Sequence, residues 1–207
     1  MKIGEIKLQA LSLIFPDATF EYAEGGLSEL LFNLRSQSRY APYLKASVGA
    51  INRALASVEQ KGLSGTELYT ETVRGNLGWH YVYLNKIEDF CALEGVSLIK
   101  DGKREATSFE RSGIILAIES PKDSVIEIAY QRRLKRITHS TDDNEEITLP
   151  FGIEEAIAYF VMSDLLLGER PSEAVLARNI YEGMVNECRK TEGEGTFLNT
   201  VFSLGAL

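Results

Sequence analysis

The fold of this chain is decided by residues 42–72, PYLKASVGAINRALASVEQKGLSGTELYTET, where the spacing of the apolar residues changes. The first part carries apolar residues in steps of three and four, which predicts the buried face of a helix of about five turns. These residues are Leu44, Val48, Ile51, Leu55 and Val58. Gly62 predicts the end of this helix, and the threonine-rich alternation from Thr66 predicts a β-strand.

Helical spacing also occurs on both sides of that stretch. It covers residues 3–15 and a short segment after residue 26, and it returns in residues 153–167. A last helix is predicted over 172–190, with Ser172 as its N-cap. The apolar line of that last helix runs in steps of four through Leu176, Ile180, Met184 and Cys188.

Residues 66–149 carry turn signals at the spacing of short strands, which predicts about six antiparallel strands. Asp101 and Gly102 predict a type I′ hairpin turn, because both positions of that turn need a positive φ. Residues 114–118 are apolar on both faces, which predicts a central strand covered on both sides. The strand around residue 81 is predicted to place Trp79, Tyr81 and Tyr83 on one face.

Together these patterns predict an α+β fold, with a helical core and an inserted antiparallel β lobe. The N-terminal helices occupy residues 1–64, the β insertion 65–149, and the C-terminal helices 150–190. Neither helical segment can bury its apolar stripe alone, so we expect the two to pack together. Leu55 and Ile180 are predicted to lie in their common core.

The composition of the chain excludes several classes of protein. The chain has 207 residues, of which 44% are hydrophobic and 25% charged, which excludes disordered and fibrous classes. Its net charge of −8 is opposite in sign to that of most free-standing nucleic-acid binders. Cys91 and Cys188 are too few for a disulfide scaffold and are predicted to be small core residues. No apolar run approaches the roughly 20 residues that span a bilayer, so we expect no membrane contact.

The sequence predicts neither a catalytic site nor a bound cofactor or metal ion. His80 and His139 have no second ligand at metal-binding spacing, and His80 is predicted to be a packing or surface residue. The acidic run 142–146 lacks the ligand spacing of a calcium loop and is predicted to be a solvated loop.

Four basic residues form a charge cluster near the end of the strand predicted over 125–137: Arg132, Arg133, Lys135 and Arg136. Alternation would place Arg132 and Arg136 on one face of that strand and the other two on the opposite face. One interpretation is that the cluster contacts DNA phosphate or an acidic partner. The other is that the acids of the loop 142–146 neutralise it, since they follow closely in sequence.

The C-terminal segment 191–207 is predicted to be an arm rather than part of the packed helices. Glycines at 193 and 195 precede five apolar residues that lack the polar face of a surface helix. These are Phe197, Leu198, Val201, Phe202 and Leu204. The segment is either a docking arm for a neighbouring protein or a frayed terminus.

Features between residues 87 and 190 form a further pattern. A strand leads through Leu149 and Pro150 into a helix with adjacent aromatics, Tyr159 and Phe160. After a short acidic break, the next helix carries Arg178, Asn179, Tyr181 and Glu182. The segment Ile87-Glu88-Asp89-Phe90 to Val96-Ser97-Leu98 leads into the predicted hairpin.

In this order of elements and in these residues, the chain resembles the head–tail connector proteins (adaptor or gatekeeper-like) of tailed bacteriophages, over residues 3–190. The resemblance implies a structural virion protein, made in the host cytoplasm, that forms a ring beneath the portal, expected to be twelvefold. Its implied partners are further copies of itself, the portal protein, a downstream tail or stopper protein and channel DNA. It implies no reaction and no cofactor.

The alternative is a small cytoplasmic enzyme or a regulatory binding domain without a recognisable motif. An enzyme would have to bring scattered ionisable residues such as His80, Glu119 and His139 into one pocket.

Overall fold

The structure, a computed structural model, describes residues 1–21, 26–73, 78–120, 124–149 and 152–204, and for residues 190–204 it describes the helix without the side chains. Within these residues the chain forms five α-helices and two antiparallel sheets, so the predicted α+β fold is confirmed. The chain divides into two compact units. Met1–Val58 and Lys135–Leu207 form the helical unit, and Glu59–Leu134 form the β unit. The predicted insertion extends to 149, whereas the β unit ends at Leu134.

The helices follow the predicted order: α1 (Ile3–Ile14), α2 (Gly26–Arg35), α3 (Ala41–Gln60), α4 (Ile153–Leu166) and α5 (Pro171–Leu204). α1 packs against α2 and α4, and α4 packs against α5. All five residues of the predicted α3 stripe are buried, and Leu55 is 0% exposed. Gly62 follows α3 with a φ of +76°, a left-handed conformation that favours glycine and stops the helix.

The buried face of α5 is not the one that the sequence predicted. Ile180 is 37% exposed and Leu176 is 61% exposed, so the prediction that Ile180 lies in the core is wrong. The buried line of α5 is instead Ala174, Ala177, Tyr181 and Val185. The two alanines allow close packing, while Tyr181 meets Phe160 of α4 edge to face at 5.0 Å between ring centroids.

The ends of α5 also differ from the prediction. The helix begins at Pro171, so Ser172 lies within its first turn and is not the N-cap. Proline suits the first helical position, because the N–H that it lacks would have no partner within the helix there. At the other end the helix continues to Leu204, past residue 190 where the sequence predicted its end.

The β unit contains two sheets. Its strands are β1 (Thr66–Thr72), β2 (Gly78–Tyr83), β3 (Phe90–Lys100), β4 (Lys103–Ala106), β5 (Phe109–Ser112), β6 (Ile115–Ser120) and β7 (Val125–Arg132). One sheet has the order β1-β7-β3-β4, and the other has the order β2-β6-β5. Apolar residues from both sheets form one core, among them Leu116 and Ile118 of β6 and Ile126 and Ile128 of β7.

Two local predictions for the β unit have different outcomes. The hairpin between β3 and β4 is confirmed, since Asp101 and Gly102 have φ values of 50° and 77°. β6 is the central strand of its sheet, as predicted, but only one of its faces is well covered. Leu116 and Ile118 are buried, whereas Ile114, which precedes the strand, is 55% exposed.

β7 ends at Arg132, although the alternation predicted a strand to residue 137. The next residues form no strand but are still held in place. Leu134 N donates to Glu59 Oε1 at 2.6 Å in the β unit. In the helical unit, Ile137 N donates to Asn52 Oδ1 at 2.9 Å, and Asn52 Nδ2 donates back to Ile137 O at 2.8 Å. Side chains thus replace the strand partner that this segment lacks.

We predict that Leu55→Ala and Ile180→Ala have very different effects on stability. Leu55→Ala leaves a cavity in the core and is expected to lower the free energy of unfolding by about 2–5 kcal/mol. Ile180→Ala removes an exposed side chain and is expected to cost less than about 1 kcal/mol. Urea unfolding of the two variants measures both values, and equal losses would contradict the observed face of α5.

A second prediction concerns alkaline pH. Burial raises the pKa of Tyr181, whose hydroxyl donates to Ser57 Oγ at 2.8 Å. The unfolded tyrosine ionises near pH 10, below the pKa of the folded one, so stability falls as the pH rises through this window. Tyr181→Phe is expected to reduce this pH dependence, because the variant has no hydroxyl at this buried position. Unfolding curves between pH 9 and 11 measure it, and an unchanged slope in Tyr181→Phe would contradict the prediction.

Candidate functional site

The four basic residues predicted as a cluster fall on two units. Arg132 belongs to the β unit, where its Nε donates to Ser64 O at 3.1 Å and its Nη1 lies 3.4 Å from Glu67 Oε1. Lys135 belongs to the helical unit and forms an ion pair with Glu145. Arg133 and Arg136 are exposed. Because the strand ends at Arg132, the predicted alternation of faces does not extend over the cluster.

The acidic loop 142–146 is tied to the start of α1. Asp143, only 6% exposed, lies 2.6 Å from Lys7 Nζ and 2.6 Å from Arg35 Nη2. Backbone bonds join the same elements, from Gly4 N to Asp143 O at 2.8 Å and from Ile3 N to Glu145 O at 3.0 Å. The loop therefore supplies partners for the first N–H groups of α1, which have none within the helix.

Lys7 and Asp143 form a buried ion pair, since the Lys7 side chain is 4% exposed. Two charges removed from water are stable only when they remain paired. The sequence predicted that the loop 142–146 is solvated, but Asp143 in this loop is buried. Its carboxylate stabilises the helical unit through the pair with Lys7. Of the loop acids, Glu145 contacts a member of the basic cluster, through Lys135.

An aromatic row lies along β2, an edge strand of the β2-β6-β5 sheet. Trp79, Tyr81 and Tyr83 alternate along β2 on one face, as predicted, and all three are exposed. Trp79 and Tyr81 also line a shallow concavity of about 470 Å³ with Glu110 of β5 and Ala117 of β6. Exposed aromatic groups arranged in this way are typical of contact surfaces.

A second exposed apolar surface lies on the helical unit. Leu176 and Ile180, one turn apart, form the α5 apolar face, while Val175 and Leu167 are also exposed but point elsewhere. Leu176 and Ile180 lie on the side of α5 that α4 does not cover. Contiguous apolar side chains left in water on a helix mark a surface that another molecule covers.

The helical unit contains a concavity of about 620 Å³ between α1 and α4, here called the α1–α4 cleft. Glu5 and Leu8 of α1, Glu155 and Tyr159 of α4, and Phe20 contribute to its walls. The Glu5 carboxylate is already bound, because its Oε2 accepts from Lys2 N at 2.8 Å. The sequence contains no motif that would have indicated this cleft.

Within the β unit, two of the scattered residues that an enzyme would need, His80 and Glu119, lie on opposite faces of one sheet. His80 lies in β2, with its Nε2 3.0 Å from Glu71 Oε1. Glu119 shares the face of Trp79, opposite to that of His80, because β2 and β6 pair at these two positions. His139 is exposed in the helical unit.

Among the described residues, no three His, Cys, Asp or Glu side chains are close enough to hold a metal ion. None of the helices in the described part of the chain is both long and apolar enough to cross a membrane. Neither cysteine forms a disulfide within the described residues, and both are half-buried. Cys188 packs against Gly152 at the start of α4, where an added Cβ would come within 2.8 Å of the cysteine sulfur.

Three of the residues that carry the resemblance to connector proteins, Phe160, Arg178 and Tyr181, meet in the helical unit. Phe160 lies between Tyr181 and the guanidinium of Arg178, whose Cζ is 3.7 Å from the Phe160 ring centroid. This cation–π contact links α4 to α5. The five apolar residues of the predicted arm, from Phe197 to Leu204, belong to the part of α5 for which the structure describes only the helix. Their side-chain positions lie outside the described part of the chain.

No protein-family model matches this sequence, and no curated protein shows significant sequence similarity to it. The resemblance to head–tail connectors therefore stays a prediction.

We predict that Asp143→Asn destabilises the protein by about 3–5 kcal/mol, because it leaves the buried Lys7 ammonium without a counter-charge. Asp142→Asn is the matched control, since Asp142 is exposed and its change is expected to cost less than about 0.5 kcal/mol. Lys7→Met combined with Asp143→Asn should recover part of the loss, because no buried charge then remains. Urea unfolding measures all three, and a small effect of Asp143→Asn would show that the pair is not important for stability.

Proposed function

We propose that the protein is a structural virion component, a head–tail connector that forms a ring beneath the portal and joins the DNA-filled head to the tail. The proposal starts from the resemblance in residues 147–190. In this role the protein contacts copies of itself, the portal protein and a downstream tail or stopper protein. It works through its surfaces and carries out no reaction.

The observation that carries the proposal is the α5 apolar face. Leu176 is 61% exposed and Ile180 is 37% exposed, although both belong to a well-packed helical unit. Burying a large apolar side chain is worth about 1.5–3 kcal/mol, so two such residues contribute substantially to a protein contact. In a ring each subunit makes the same contact, and repetition turns a weak contact into a durable one.

The continuity of α5 supports the same role. The helix that carries the α5 apolar face also includes residues 191–204, which the sequence predicted as a docking arm. A contact on the face and a contact of the arm would therefore involve one rigid element. The aromatic row on β2 offers a second surface for a neighbouring subunit or for the tail protein.

The alternative function is a regulatory binding domain or an enzyme. The observation that favours it is the α1–α4 cleft, whose volume of about 620 Å³ lies within the range of small-molecule sites. A ligand there would meet the Glu155 carboxylate and the Tyr159 ring. The two functions predict different assembly states. A connector forms a ring, whereas a binding domain or an enzyme can remain a monomer.

We predict that Leu176→Glu with Ile180→Glu weakens ring formation and attachment to portal-bearing heads by at least about tenfold without a loss of stability. The new carboxylates would have to be desolvated in the contact. The matched control, Gln37→Glu with Asn186→Glu, adds the same charge at two exposed polar positions of the helical unit that are not one turn from Leu176 or Ile180. Light scattering measures the assembly state, and co-sedimentation with heads measures attachment.

The outcomes separate the possibilities. If the double variant assembles as well as the control, the α5 apolar face is not the contact. If the wild-type protein stays monomeric both alone and with portal-bearing heads, the connector function is wrong and the binding-domain alternative gains support.

A further inference from the structure

A second concavity in the β unit, here called the arginine pocket, combines an apolar floor with a cationic rim. Its volume is about 380 Å³. Leu84, Ile87 and Phe90 form the floor, and Arg111 and Arg133 stand at its walls. These residues come from three separate stretches of the β unit, so neither their sequence spacing nor the basic cluster around Arg132 predicts the pocket.

The floor of the arginine pocket is rigid. Leu84 and Ile87 are buried, and the 3-10 turn Leu84–Lys86 joins them. Leu84 N donates to Ile114 O at 2.8 Å, which fixes this turn to the residue before β6. The Ile114 side chain remains exposed and lines the pocket. An apolar group that enters here would therefore meet preformed apolar walls on more than one side.

Both arginines are anchored beside this floor, Arg111 through its side chain and Arg133 through its backbone. Arg111 Nε donates to Gly113 O at 3.1 Å, and its Cζ lies 6.0 Å from the Phe90 ring centroid. The backbone of Arg133 is held by Asp89, since Arg133 N donates to Asp89 O. Neither guanidinium forms an ion pair with a carboxylate in the described part of the chain. Asp89 also lines the pocket, so two cationic groups face one carboxylate.

We propose that the arginine pocket binds an acidic peptide segment of a partner protein, in which an apolar side chain sits next to a carboxylate. The apolar side chain would fill the floor, and the carboxylate would pair with Arg111 and Arg133. Guanidinium groups suit this task because they bind carboxylates through two parallel hydrogen bonds and desolvate more easily than an ammonium group.

Charge and shape favour a peptide over a nucleic acid. A polynucleotide needs a line of cations along its phosphates, whereas this pocket offers two cations on a protein of net charge −8. The apolar floor would not be used by phosphate groups. The inference does not rest on the connector function, because it depends only on the contents of the β unit.

The test uses the full-length protein and a fluorescein-labelled peptide of sequence Gly-Glu-Phe-Glu-Gly, followed by fluorescence anisotropy. Two control peptides replace both glutamates by glutamine or the phenylalanine by alanine. The protein variants are Arg111→Gln, Arg133→Gln and the double variant. Lys103→Gln removes one exposed positive charge in β4, away from the pocket, and serves as the control for net charge.

We expect the acidic peptide to bind with an affinity that falls about tenfold or more in the double variant and in the glutamine peptide. The alanine peptide should also bind more weakly, and Lys103→Gln should bind as the wild type does. Ile114→Asp places a carboxylate at the rim and is expected to reduce binding without any change at the arginines. Thermal melting shows that each variant is folded.

Three results would overturn the proposal. The first is the absence of saturable binding of the acidic peptide at millimolar concentration. The second is equal binding by the glutamine peptide or by the double variant, which would show that the guanidinium groups take no part. The third is tighter binding of an oligodeoxythymidylate that is lost in the double variant, which would identify a nucleic-acid site instead.

Discussion

The helical unit depends on the buried ion pair between Lys7 and Asp143. Lys7 and Asp143 lie far apart in sequence, and they join α1 to the loop 142–146. The exposed Arg35 shares the same carboxylate, which adds α2 to the junction. Because an unpaired buried charge is far more costly than a paired one, this junction tolerates few other arrangements of the loop.

The chemistry of α5 connects the fold to the proposed function. The helix has two apolar faces, and the helical unit covers only the one that contains two alanines and Tyr181. Small residues permit close packing, and Tyr181 occupies the remaining space beside Phe160. The larger aliphatic residues on the other face are left for a contact outside the unit. A helix of this kind stabilises its own domain with one side and offers the other for assembly.

Charge is distributed by the tertiary structure in a way that proximity in sequence does not indicate. Residues 132–136 look like one basic patch, but Arg132 and Lys135 each find an acid within their own unit. Arg133 instead shares a pocket with Arg111, which lies 22 positions earlier in the chain. One interpretation of the sequence was that the acids of the loop 142–146 neutralise this patch. Asp143 of that loop instead pairs with Lys7 of α1 and Arg35 of α2. The number of charges in a short stretch of sequence therefore predicts neither these ion pairs nor the arginine pocket.

The sequence by itself determined the α+β class, the order of the helices, the buried stripe of α3 and the turn at Asp101 and Gly102. Each of these follows from local rules, namely the apolar period and the φ preferences of single residues. The tertiary structure alone decided which face of α5 is buried, where Asp143 is bound and that Arg111 meets Arg133. A period shows that a face is apolar but not what covers it, because covering depends on the shape and charge of residues distant in the chain.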